Sequence, residues 1–68
     1  MNKFAKNIKL LRLEKNLTQK ALGKELGVSS HTIYGWEKDN KEPSFDMLIK
    51  ISQYFNISID ELLGVKEI

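Results

Sequence analysis

Sixty-eight residues, no cysteine, 41% hydrophobic side chains and a net charge of +2 exclude much at once. A chain this short forms one domain, residues 1–68, whose core uses most of its apolar side chains, and neither disulfide staples nor cysteine-based zinc sites are open to it. Its longest apolar runs are two or three residues, such as Met47-Leu48-Ile49, against the ~18 a membrane span needs. The opening stretch MNKFAKNIKLLRL lacks the uninterrupted apolar centre of a signal peptide, so a small soluble cytoplasmic domain is expected.

Helical spacing recurs along the chain and strand-length alternation does not. A first helix is predicted over about residues 2–15, with Phe4, Ile8 and Leu11 in one narrow buried arc and Arg12 at its edge. Leu10 and Leu13 fall on nearly the opposite side among Lys3, Lys6 and Lys9; either another element covers them or they are contact surface. Thr18 suits the N-cap of a second helix ending at Leu26, and Gly27 suits the positive φ that stops it. Ser29 caps a third helix running to about Lys38, where Asp39 and Asn40 tolerate the left-handed conformation that ends it. Ser44 caps a fourth helix reaching Phe55. Phe45, Met47, Leu48, Ile49, Ile51, Tyr54 and Phe55 make that helix apolar almost all round, which assigns it to the centre of the bundle or to a partner. Ser58 with Glu61 forms a capping box and Ile57 with Leu62 a hydrophobic staple for a short fifth helix ended by Gly64.

Chemistry concentrates in Thr18–Lys38. Small Gly23 permits close approach of the second and third helices. On the third helix Ile33 and Trp36 face the core, while Ser30, Tyr34 and Lys38 share another side flanked by His31 and Gly35. That side is either an ordinary solvated face or a set of groups able to hydrogen-bond base edges in a major groove. Charge is split between the halves: residues 1–24 carry seven bases against Glu14 alone (+6), and residues 25–68, which hold that side of the third helix, carry four lysines against eight acids (−4). Such asymmetry suits a polyanion partner for one half, although a basic half is often only a solvated face. Serines 29 and 30 beside the single histidine, His31, are helix-start residues with no acid to orient the imidazole, so neither catalysis nor a metal site is expected.

Leu17-Thr18-Gln19, Leu22-Gly23, Leu26-Gly27-Val28-Ser29, Thr32-Ile33, Trp36-Glu37, Pro43-Ser44 and Asp60-Glu61-Leu62-Leu63-Gly64 stand at spacings that strongly resemble the helix-turn-helix domain of the Cro and lambda-repressor type, the XRE family. The resemblance covers about residues 4–64. It implies an all-α, compact five-helix lambda-repressor-like domain whose helix-turn-helix is formed by helices 2 and 3, with double-stranded DNA as partner. By position, Ser30, His31 and Tyr34 would read bases, while Thr18, Gln19, Ser29, Lys38, Asn40 and Lys41 would hold the DNA backbone. Arg12 and Glu37 match an ion pair that in some members ties the first helix to the third. Two departures stand out: Gly35 occupies a position where many members carry a long polar side chain, and Asp39-Asn40 replaces the usual glycine after the recognition helix. The reading face holds no arginine or glutamine, so strong bidentate base contacts are not available from it.

The resulting expectation is a bacterial or phage transcriptional regulator, a repressor in the first instance, acting as a homodimer on a two-fold operator without cofactor, metal, membrane or small-molecule ligand. Ile57, Ile59, Leu63, Val65 and Ile68 are the candidate dimer residues. A protein-interaction or antitoxin-like module on the same fold is the alternative, as is the N-terminal part of a longer repressor.

Overall fold

Helix starts follow local hydrogen-bond chemistry in the computed structural model, which describes residues 3–66. Five α-helices are present among the described residues, and no strand: α1 (Phe4–Glu14), α2 (Gln19–Leu26), α3 (Ser30–Glu37), α4 (Phe45–Phe55) and α5 (Ile59–Leu63). Thr18, Ser29, Ser44 and Ser58 are the extended N-caps, each hydroxyl accepting the N–H three residues on. At α5 the box is complete, because the Glu61 carboxylate also accepts the Ser58 N–H at 2.9 Å. The Ser58 backbone N–H first, and the Ser58 hydroxyl after it, hold the Glu61 carboxyl below its ordinary pKa of 4.5.

Helix ends are made by left-handed residues. Gly27 has φ +77° after α2, as its position suggested. Asn16, Asp39 and Asn56 supply the same turn after α1, α3 and α4, with φ of 56°, 60° and 56°. In each case the following N–H reaches back five residues, as in Leu17 to the Arg12 carbonyl at 3.1 Å. Only Asp39 of the Asp39-Asn40 pair adopts the left-handed form.

The core is Phe4, Ile8 and Leu11 of α1, Leu22 and Leu26 of α2, Ile33 and Trp36 of α3, Ile51 of α4 and Leu62 of α5. Phe4 meets Trp36 edge-on, with ring centroids 6.0 Å apart. Asn7 is also buried, and its amide donates to the Glu61 and Leu62 carbonyls, both at 3.2 Å, satisfying α5 from outside. The spacing of four residues between Asn7 and Leu11 places it on the buried arc; its polarity hid it from an apolar reading.

The fourth helix does not take the first of its two expected places. It does not occupy the centre: only Ile51 is fully buried, Met47, Leu48, Tyr54 and Phe55 are half-buried, and Phe45 is 85% exposed. The first three helices and α5 already close around the core, leaving α4 to pack one flank. Lys50 fastens that flank by donating to the Leu26 carbonyl at 2.8 Å, a cation at the C-terminus of α2. No described helix is long and apolar enough to cross a membrane.

Candidate nucleic-acid interface

The α2–turn–α3 unit is rigid for steric reasons. A Cβ on Gly23 would stand 2.5 Å from the Val28 carbonyl oxygen and 3.2 Å from the Ser29 backbone. Only glycine therefore lets α2 touch the turn, and the Val28 N–H closes on the Gly23 carbonyl at 2.8 Å. The close approach is to the turn backbone rather than to the body of α3. Ser29 then opens α3, its hydroxyl bonded to the Thr32 N–H and to the Thr32 hydroxyl, both at 3.1 Å. Thr18 is engaged in the same way with the Ala21 N–H at 3.0 Å.

Ile33 and Trp36 are buried and anchor α3, leaving Ser30, His31, Tyr34 and Lys38 exposed. The Lys38 ammonium lies 5.7 Å from the Tyr34 ring centroid, a cation–π contact that orients both side chains. Gly35 does not belong to this open face. It is buried beneath the aliphatic chain of Lys41, whose Cδ would stand 2.8 Å from an added Cβ. The Gly35 carbonyl also accepts the Asn40 and Lys41 N–H groups at 2.9 and 3.2 Å. Asn40 and Lys41 thus leave the end of α3 along a path set by Gly35, and both remain exposed.

Behind the face lies a polar clamp. Arg12 Nε donates to Glu37 Oε2 at 2.7 Å and Nη2 to Oε1 at 3.1 Å, with side chains only 10% and 4% exposed. Arg12 Nη1 donates to the Leu17 carbonyl at 2.7 Å. Gln19 Nε2 donates to Glu37 Oε1 at 3.1 Å, so one carboxylate collects α1, α2 and α3. Charged groups removed from water need such full pairing, and a two-pronged guanidinium–carboxylate bond supplies it. Periodicity could not reveal that Gln19 turns one amide hydrogen inward, since its partner stands 18 residues away.

The candidate dimer residues divide. Ile57 and Leu63 are half-buried against the core, Ile59 is half-buried, and Val65 is 72% exposed. Ile68 lies outside the described residues. Leu10 and Leu13 are 47% and 49% exposed, so no other described element covers them.

Comparison with known proteins matches this geometry. A helix-turn-helix family model matches residues 8–62. The transcriptional activator BcrR of Enterococcus faecalis is 40% identical over 65 residues, covering 96% of this chain and 32% of its own length. The transcriptional regulator ImmR of Bacillus subtilis is 33% identical over 65 residues, again 96% of this chain and 51% of its own length. The chain therefore spans about a third to a half of these two relatives. The crystal structure of the P22 c2 repressor protein in complex with a synthetic operator superposes with a TM-score of 0.85 at 33% identity, covering 93% of this chain and 96% of that one. With two helices locked across Gly23, a polar outer face on the second and the family match over most of its length, this chain belongs to the helix-turn-helix family of the Cro and repressor (XRE) type.

Proposed function

We propose that the protein binds double-stranded DNA sequence-specifically and regulates transcription, repressing in the first instance, as a homodimer on a two-fold operator. The observation that carries the reading is the outer face of α3. Ser30, His31 and Tyr34 point outward from a helix whose inner side is fully anchored, and the similar P22 repressor was crystallised on operator DNA. An α-helix fits a major groove, and hydroxyls and an imidazole hydrogen-bond base edges there. Lys38, Asn40 and Lys41, with the N-termini of α2 and α3, supply backbone contacts that set register without reading sequence.

Size supports the dimer. The Cα envelope measures 27 × 23 × 20 Å, whereas half-sites recur about 34 Å apart, so one copy cannot serve two. Exposed Phe45, Ile49 and Val65 offer apolar surface for self-association.

Selection of bound duplexes from a random pool, followed by salt titration of the winner, tests the reading. Enrichment of a two-fold sequence with affinity falling steeply as salt rises is expected; no enrichment by a folded, dimeric sample overturns it. Tyr34→Ala or His31→Ala should relax base preference. Lys41→Met, which keeps the chain that covers Gly35, should weaken all sequences alike. Selective loss at particular bases in Lys41→Met would undo this division of roles.

A further inference from the structure

A cavity of about 260 Å³ opens beside the recognition helix, lined by Lys9, Arg12, Gln19, Tyr34, Glu37 and Lys38. Three helices contribute: Lys9 and Arg12 from α1, Gln19 from α2, Tyr34 and Glu37 from α3, with Lys38 at the α3 end. The single carboxylate in the lining is fully engaged by Arg12 and Gln19. The floor is thereby neutralised, and the cationic character of the cavity comes from Lys9 and Lys38. Because Glu37 takes one Nε2 hydrogen of Gln19, the amide is held in a fixed orientation and one N–H donor remains to it. Two lysines and an oriented amide donor lining one polar recess suit a singly charged tetrahedral oxyanion.

From this we infer that Lys9, on the helix outside the helix-turn-helix, completes a seat for one phosphate of the DNA backbone together with Gln19 and Lys38. The inference rests on the DNA-binding reading and adds to it a contact from α1. The seat ties the docking distance of α3 to the clamp that already joins α1, α2 and α3, since its members ride on the same three helices. Lys6, on the same helix, lines a different cavity with Lys3, Leu10, Val65 and Lys66; it therefore serves as the internal control for a general positive field.

The experiment uses the selected duplex and compares wild type, Lys9→Gln, Lys9→Arg and Lys6→Gln across a range of salt concentrations. Lys9→Gln should lower the log–log salt slope by about 0.9 for each protomer on the duplex, the value of one phosphate contact apiece, and leave the ranking of base variants unchanged. Lys9→Arg should restore the slope, and Lys6→Gln should keep it. Thermal unfolding of Lys9→Gln should match wild type, because Lys9 is exposed. An unchanged slope in Lys9→Gln, or an equal fall in Lys6→Gln, overturns the seat while leaving DNA binding intact. Failure of the wild type to bind any duplex overturns the functional reading and the seat together.

Discussion

The two ends of this molecule solve the same packing problem by different means. Residues 4–37 lock α1, α2 and α3 with deep apolar anchors and with one polar clamp, Arg12–Glu37–Gln19, that closes a face left otherwise polar. Residues 45–63 rely on two fully buried side chains, Ile51 and Leu62, and leave Phe45 and Ile49 facing water. The difference teaches how a rigidly anchored polar face and a loosely covered apolar face coexist in one small domain. A recognition helix must be held rigidly while presenting hydrogen-bonding groups, which favours buried anchors behind a solvated face. On the proposed homodimer reading, the apolar surface around Phe45 and Ile49 is covered by association rather than by folding.

The largest expected effect lies in the clamp. Glu37→Ala leaves the Arg12 guanidinium buried without its carboxylate and should cost about 3–4 kcal/mol, as breaking a buried pair does. For a domain this small, each kcal/mol lowers Tm by roughly 4–8 °C. A double-mutant cycle with Arg12→Ala should show strong coupling, and additive losses would break the contrast between the two halves. Next, Ile51→Ala should cost about 3 kcal/mol through the cavity it leaves, whereas Phe45→Ser should change unfolding by less than about 0.5 kcal/mol. Phe45→Ser should instead weaken self-association in sedimentation. A stability loss as large as that of Ile51→Ala would show that Phe45 belongs to the core after all.

The smallest effect concerns α5. In the folded chain the Glu61 carboxyl titrates below 4.5 because Ser58 donates to it; in the unfolded chain that bond is gone. Its stabilisation is therefore complete above pH 4.5 and disappears as pH falls through the lower folded value. The Tm gap between wild type and Glu61→Gln should narrow with acidification below pH 4.5. A gap that holds constant would remove the charge of Glu61 from the account of the box.

Much of the architecture was readable one residue at a time. The caps at Thr18, Ser29, Ser44 and Ser58, the stop at Gly27 and the buried arc Phe4–Ile8–Leu11 depend on neighbours within four residues, and those neighbours are present in any short stretch of chain. The outward face of α3 was readable for the same reason, since Ile33 and Trp36 define its inner side. What lies across from each face was not. A helix apolar on all sides announces that it wants cover, but α4 sits at a flank and gives the core only Ile51, because α1, α2, α3 and α5 supply the other buried side chains.

The candidate site divides along the same line. Residue type and spacing established a helix-turn-helix with Ser30, His31 and Tyr34 outside and an arginine at the edge of the first helix. Only folding brought Gln19 to Glu37, laid Lys41 over Gly35, turned Asn7 onto the end of α5 and set Lys9 and Lys38 on the lining of one cavity. Periodicity is a property of one helix and determines which side chains share a face. Hydrogen-bond partners 18, 25 or 54 residues apart are chosen by how helices cross, and that choice belongs to the packed core as a whole.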